Sequence, residues 1–189
     1  MQEWEGGDRT AQVQLADCYA QGRGVERSPA QAAAWLRRAA EQGSPEGQSI
    51  FGFCCLEGFG VKEDADQAAA WFRKSAEQGC SEGWFGLAIC YFSGAGTEQN
   101  DRTAADLCRC AAEQGHVKAM IRLGACCLEG RGTARDLGAA EDWLCRAIKT
   151  GDAQGWKDKL DRTQALRLLA EAFYARYAEG ETKSQAEER

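Results

Sequence analysis

The chain has 189 residues, 44% of them hydrophobic, which suffices for a continuous core in one or two domains. Its 29 acidic and 23 basic residues give a formal net charge of -6, the wrong sign for a surface that neutralises nucleic-acid phosphates or anionic lipid. No stretch reaches the roughly 20 apolar residues of a membrane-spanning helix, and residues 1–7 lack the character of a signal peptide. The composition therefore predicts that neither nucleic acid nor a membrane is the partner.

A 36-residue period runs through most of the sequence, so the repeat has to be settled before any local prediction. Its most regular feature is a G-x-G turn that occurs four times, beginning at Gly22, Gly58, Gly94 and Gly130. Each copy also ends on a glycine: Gly43, Gly79, Gly115 and Gly151. The period predicts four repeats, at residues 8–43, 44–79, 80–115 and 116–151.

The first half of each repeat has the pattern of a helix, here called helix A. In the first repeat, Ala11, Leu15 and Tyr19 follow the i, i+4, i+8 spacing of one buried helix face. Asp8 and Ser44 are good capping residues, whereas Cys80 and His116 predict looser starts in the third and fourth repeats.

The second half of each repeat predicts helix B, which begins after the G-x-G turn. Residues that cap helix N-termini occupy the same position in all four repeats: Ser28, Asp64, Asn100 and Asp136. Pro29 supports this start, and the closing glycines suit the left-handed residue that ends many helices.

Such hairpins bury their apolar faces only by stacking, so the sequence predicts an all-α fold, a right-handed α/α superhelical solenoid. Residues 152–180 depart from the repeat and predict a partial repeat and a capping helix. A short helix from Asp152 precedes a longer one from about Arg162, which would cover the end of the stack with the stripe Leu166, Leu169, Phe173 and Tyr177. The polar residues 181–189 predict a disordered tail.

The repeat resembles the Sel1-like repeat family, relatives of the tetratricopeptide repeat with a slightly longer unit. The resemblance rests on residues 8–151 and, in the first repeat, on Ala11, Leu15, Ala16, Tyr19, Gly22, Gly24, Val25, Ala32, Trp35, Leu36, Arg37, Ala39 and Gly43. It implies a scaffold or adaptor for another protein or peptide, since similar proteins serve in assembly, secretion, signalling and host contact.

Ten cysteines raise the alternative of a redox or metal-binding protein. Cys18, Cys54, Cys90 and Cys126 share one column on successive A helices, where axes ~8–10 Å apart predict a ladder of thiols rather than disulfides. The family's disulfide-rich secreted branch has cysteines at positions that here hold Ala40 and Gln48, Ala76 and Trp84, and Ala112 and Met120. A single histidine and no C-x-x-C pair argue against a metal site.

Catalysis and a bound cofactor are not predicted. The G-x-G turns follow a helix rather than a strand, and lack the third glycine and downstream acid of a nucleotide loop. His116, the only histidine, has no recognisable nucleophile and orienting group beside it. Reduced thiols and the absent signal peptide favour a cytoplasmic protein, although a piece of a longer secreted or periplasmic protein would read the same way.

The candidate partner-binding site lies on the A helices, opposite the predicted core face. There the middle repeats become apolar, which predicts a concave groove that holds a partner peptide or helix. Its residues are Ile50, Phe53, Trp84, Phe85, Ile89, Ile121 and Arg122. The alternative is that curvature of the superhelix buries part of this patch against neighbouring A helices.

A further alternative is that the chain is a piece of a larger solenoid. No earlier helix B is predicted within residues 1–7, so the first repeat would present a bare outer face. This predicts a possible homodimer through the uncapped N-terminal end.

Overall fold

A computed structural model describes residues 8–156 and 158–187. Within these ranges the regular structure is entirely helical, which confirms the predicted fold class. The helices are α1 (Arg9–Gln21), α2 (Pro29–Glu41), α3 (Pro45–Glu57), α4 (Ala65–Glu77), α5 (Ser81–Ser93), α6 (Asp101–Glu113), α7 (Val117–Glu129), α8 (Leu137–Gln154) and α9 (Lys159–Glu187). Helices α1, α3, α5 and α7 are the predicted A helices, and α2, α4, α6 and α8 are the B helices.

The chain divides into two compact units, residues 1–100 and 101–189. In unit 1, the hairpin α1–α2 packs on the hairpin α3–α4, and α5 packs on both α3 and α4. In unit 2, α7 packs on α6 and α8, and α9 packs on α8 and α7. Each unit therefore builds its core by stacking consecutive helices, as a solenoid does.

The predicted starts of the B helices are confirmed, and three of them show the capping bond directly. The side chains of Ser28, Asp64 and Asp136 accept hydrogen bonds from the backbone amides three residues later, at 3.3, 2.8 and 2.9 Å. These bonds satisfy amides that the helix itself leaves without a partner. In the third repeat, α6 begins directly after Asn100.

The A helices begin less uniformly, and one prediction there is wrong. Ser44 caps α3 through the Gly47 amide, whereas Cys80 makes no side-chain capping bond at α5. His116, expected to give a loose start, accepts a hydrogen bond from the Ala119 amide at its Nδ1 atom, 3.1 Å away. An imidazole nitrogen therefore replaces the usual hydroxyl or carboxylate oxygen as the cap.

The two glycines of each G-x-G turn have different tasks. The first ends helix A in the left-handed conformation, with φ of 75° at Gly22 and similar values at its equivalents. In the second, third and fourth repeats, the second glycine passes very close to the start of the preceding helix B: a Cβ on Gly60 would lie 2.0 Å from the Pro29 carbonyl oxygen. Gly96 and Gly132 stand in the same relation to Ala65 and Asp101. The motif therefore marks the contact between successive repeats.

Small residues allow the helices to pack closely. Ala32, Ala33, Ala39 and Ala40 of α2 are almost completely buried, and so are most of their equivalents. Larger side chains are matched in size across the hairpin: a Cβ on Gly52 would lie 2.7 Å from the Phe72 ring, and a Cβ on Gly124 would lie 2.7 Å from Leu144. Core volume is thus conserved by pairing a large residue with a glycine.

The expectation that Gly151 ends its helix in the left-handed conformation is wrong, because α8 continues to Gln154 and the glycine with a positive φ, 75°, is Gly155. Gly151 lies inside the helix, where a Cβ would be 2.4 Å from the Trp156 ring. The Trp156 indole folds back onto this glycine and donates a hydrogen bond to Asp152, 2.7 Å away. Asp152 therefore anchors the end of α8 and does not cap a separate short helix.

The last helix also departs from the prediction. Helix α9 begins at Lys159 rather than near Arg162, and its backbone continues to Glu187, where a disordered tail was expected. The segment is rich in Glu, Lys, Gln and Ala, which favour helix even without apolar contacts. Residues 188–189 of the predicted tail lie outside the described residues.

None of the helices described here is both long and apolar enough to span a lipid bilayer.

Candidate partner-binding surface

Helix α3 carries apolar residues on both of its faces. Phe51, Cys54 and Cys55 are buried in the core of unit 1. Ile50 and Phe53 lie outside this buried group, and both side chains are half-buried. They are three residues apart and so share one helix face.

Helix α5 packs directly beside α3. Of the three residues of α5 that the sequence analysis placed in the partner-binding site, one belongs to the same surface as Ile50 and Phe53. Ile89 occupies the position of Phe53 one repeat later and is half-buried. Trp84, also half-buried, lies five residues earlier, which turns it about 140° around the helix from Ile89. Phe85 is 8% exposed, in a column that is buried in every repeat. The structure therefore brings Ile50, Phe53 and Ile89 to one surface, and leaves Trp84 and Phe85 out of it.

The two predicted residues of unit 2 have different environments. Ile121 is only 4% exposed, because it occupies the same buried column as Val13, Ser49 and Phe85. Arg122 is exposed. Phe85 and Ile121 are therefore not available to a partner. Their burial agrees with the alternative in the sequence analysis that part of the apolar patch is covered within the protein.

Phe72 supports this surface of unit 1 from below. Its ring is completely buried and lies edge-on to the Phe53 ring, with the centroids 4.7 Å apart. A Cβ on Gly86 of α5 would lie 2.3 Å from the Phe72 ring, so the ring also touches the neighbouring A helix. The packing of Phe72 fixes the position of Phe53 and the approach of α5.

Carboxylates flank the apolar residues of α3. Glu46 lies four residues before Ile50, and Glu57 lies four residues after Phe53, so all four share one helix face. Both glutamates are exposed. We call Ile50, Phe53 and Ile89, with Glu46 and Glu57 at the edges, the α3–α5 surface. It is apolar in the middle and negatively charged at both ends.

All ten cysteines are free thiols, and Cys54, Cys90 and Cys126 of the predicted ladder are buried. Desolvation by burial raises the pKa of Cys54, Cys55, Cys90 and Cys126 to about 11 and that of Cys108 to about 12. Burial also raises the pKa of Cys127. These thiols therefore stay protonated at neutral pH and are poor nucleophiles. Cys110 and Cys145 are exposed.

Within residues 8–156 and 158–187, no group of three or more histidine, cysteine, aspartate or glutamate side chains is arranged to hold a metal ion.

The B helices carry a recurring pair that the sequence analysis missed. Arg38 stacks on Trp35, Lys74 on Trp71 and Arg146 on Trp143, with 4.7, 4.2 and 4.2 Å from the cation to the ring centroid. The third repeat replaces both members, with Leu107 and Cys110. The i, i+3 spacing of tryptophan and cation was the signal for these pairs.

The first repeat has an incompletely covered face in the described residues. Ala11, Leu15, Cys18 and Tyr19 are half-buried, whereas Gly47, Phe51, Cys54 and Cys55, at the same positions in the second repeat, are buried. The predicted dimer contact at the N-terminal end also involves residues 1–7, which lie outside the described residues.

The predicted inward stripe of α9 is wrong, and its apolar residues are the second feature that the sequence analysis missed. Within residues 159–179 of α9, the buried apolar side chains are Ala165, Leu168 and Ala172. Leu166, Phe173 and Tyr177 of the predicted stripe are instead 43%, 51% and 67% exposed. The smaller stripe faces inward because α9 packs on the alanines and Trp143 of α8 and on Cys127 of α7.

Solved structures share this fold. A protective antigen of uropathogenic Escherichia coli with an SLR fold matches with a TM-score of 0.71 and 29% identity over 90% of this chain and 40% of the antigen. This chain thus spans less than half the length of the antigen. A Sel1 repeat protein from Oxalobacter formigenes matches with a TM-score of 0.74 and 24% identity, over 89% of this chain and 72% of that one. An immunity protein from Pseudomonas aeruginosa matches with a TM-score of 0.56 and 20% identity, over 89% of this chain and 70% of that one.

No curated protein matches the chain. The family model of the Sel1 repeat matches it four times, at residues 10–44, 45–80, 84–116 and 117–152. Proteins of this family are generally scaffolds for protein–protein interactions and typically not enzymes. The matched segments cover most of the sequence and coincide with the four helical hairpins, and so the chain belongs to the Sel1 repeat family.

Proposed function

We propose that this protein is an interaction scaffold that binds a segment of a partner protein on the α3–α5 surface of unit 1. The observation that carries the proposal is the pair Ile50 and Phe53, which stay only half-buried on a helix whose residues Phe51, Cys54 and Cys55 already fill the core. Apolar residues that are grouped on a surface mark contact sites more often than residues scattered singly.

The neighbouring repeat gives this surface its width. Ile89 extends the apolar area from α3 to α5, and the buried Phe72 ring makes the support under Phe53 rigid. A preorganised surface loses little conformational entropy on binding, which favours affinity. In α1 the positions of Ile50 and Phe53 hold Gln14 and Asp17, so the apolar surface is specific to the middle repeats.

The charges around the surface define the kind of partner. Glu46 and Glu57 are exposed at its two ends, and the whole chain has a net charge of -6. A helix or extended peptide with apolar residues between Lys or Arg residues complements this arrangement. The proposed partner segment is therefore amphipathic and basic.

Substitution of the two isoleucines tests the proposal. Glutamate at Ile50 or Ile89 places a charge in the centre of the contact, and we expect each variant to bind the partner at least about tenfold more weakly. The measurement is quantitative co-purification of the tagged chain from its native host, followed by titration of the recovered partner. Phe53 is left intact because its ring packs on Phe72.

Ala70→Glu is the matched control, because Ala70 is exposed on α4 and the equivalent positions in the next two repeats are Asp106 and Asp142. All three variants should keep the wild-type circular dichroism and melting temperature. Ile50→Glu and Ile89→Glu proteins that are folded and bind the partner as well as Ala70→Glu would rule out the α3–α5 surface.

A further inference from the structure

In the part of the chain that the structure describes, all large hydrophobic residues that are strongly exposed belong to α9. They are Leu160, Leu166, Phe173, Tyr174 and Tyr177, exposed by 43% to 77%. Solvent exposure of five large aromatic or aliphatic side chains on one helix is unusual for the surface of a monomer. The outer face of α9 therefore requires an explanation of its own.

The attachment of α9 to unit 2 does not use these residues. Ala165, Leu168 and Ala172 provide its buried apolar stripe. Ion pairs add to it: Arg176 binds Glu141 at 2.5 Å, and Glu179 binds Arg135 at 2.5 Å. Since the inner face is fixed in this way, the outer face remains available for a second contact.

The exposed residues have the spacing of a helix–helix seam. Leu166, Ala170, Phe173 and Tyr177 are separated by four, three and four residues, so they form one stripe about 16 Å long. Phe173, Tyr174, Tyr177 and Arg176 border a shallow depression that contains Ala170. A large side chain thus stands next to a small one along the stripe.

We propose that the occupant of this face is α9 of a second copy, paired antiparallel in a two-fold symmetric dimer. In the register that places Phe173 opposite the other copy's Ala170, the large residue enters the depression beside the small one, and symmetry repeats this contact. Leu166 then lies opposite Tyr177 in both directions. A two-fold interface must be complementary to itself in this way.

The charges beside the stripe permit this pairing. Arg167 and Glu171 form an ion pair with each other at 3.6 Å, and Arg176 is paired with Glu141. Arg162, also beside the stripe, is paired with Asp152 at 3.2 Å. Each of these three arginines thus has a carboxylate partner within its own chain, so two copies can approach each other although each has a net charge of -6.

Analytical ultracentrifugation of the full chain tests the proposal. Between about 1 and about 200 μM, the wild type should pass from one to two copies. Phe173→Glu should weaken this association at least about tenfold. Leu160→Glu is the matched control, since Leu160 is 69% exposed on the same helix but lies about 120° around it from Leu166; it should associate like the wild type.

A photo-crosslinking amino acid at Ala170 tests the register. It should join the two copies within residues 170–177 of α9. A wild type that stays monomeric over the whole concentration range would overturn the proposal. A dimer that the Phe173→Glu substitution leaves intact would also overturn it. The same holds if this variant keeps the dimer but loses a different bound protein. The outcome does not depend on the α3–α5 surface.

Discussion

Replacement of Phe72 by alanine is expected to lower the free energy of unfolding by about 3–5 kcal/mol, the largest effect of any single core substitution considered in unit 1. The ring is completely buried, lies against Gly52 and Gly86 of two neighbouring A helices, and contacts Phe53. Alanine would leave a cavity at the point where α3, α4 and α5 meet. Guanidinium unfolding followed by circular dichroism measures the loss.

The pairing of Phe72 with glycine can be tested by a double-mutant cycle. Gly52→Ala should destabilise the protein although alanine favours helix, because its Cβ would lie 2.7 Å from the Phe72 ring. Combining it with Phe72→Leu reproduces the pair Ala16 and Leu36 of the first repeat. The double variant should lose less free energy of unfolding than the two single variants lose together. Gly138→Ala is the control, since the nearest atom to a Cβ there is the Asp136 carboxylate at 3.4 Å. Additive losses would contradict size matching.

Arg176→Ala is expected to destabilise unit 2 by about 1–3 kcal/mol, because it leaves the carboxylate of Glu141 buried without its cation. Glu141 is 7% exposed and already has one oxygen without a hydrogen-bond partner. The equivalent residues in the first three repeats are Ala33, Ala69 and Ala105, all almost completely buried. Glu141 is thus a charged residue in a column where this fold otherwise buries alanine.

The opposite substitution should behave differently. Glu141→Ala removes the buried charge and restores the residue of the other repeats, so its effect on stability should be neutral or favourable. The double variant should resemble Glu141→Ala. Guanidinium unfolding and hydrogen exchange of α9 measure both effects. Equal losses in Arg176→Ala and Glu141→Ala would show that the ion pair itself, rather than the unpaired carboxylate, determines the stability.

The sequence predicts the repeated hairpins well because their determinants are local. Turn glycines, capping residues such as Ser28 and Asp64, and the spacing of Leu15 and Tyr19 act within one helix or one turn. The same period predicts the thiol ladder of Cys54, Cys90 and Cys126. The cap at His116 was missed because imidazole is rarely counted among capping groups.

The candidate site could be predicted only in part, because burial depends on contacts between repeats. Ile50 and Ile121 are both apolar residues on A helices, yet a shift of one position around the helix places Ile121 in a buried column. The orientation of α9 shows the same limit. Its sequence contains two apolar stripes, and the smaller one faces inward. The ion pairs on that side join Arg176 to Glu141, 35 residues away, and Glu179 to Arg135, 44 residues away.

The most direct test of partner binding on the α3–α5 surface is photo-crosslinking in the native host. A photoreactive amino acid replaces Ile50, Ile89 or Ala70, one position in each variant. The proposed function predicts a crosslinked product with one and the same protein at positions 50 and 89, and no such product at position 70. Crosslinking to that protein from position 70, but not from positions 50 and 89, would contradict it.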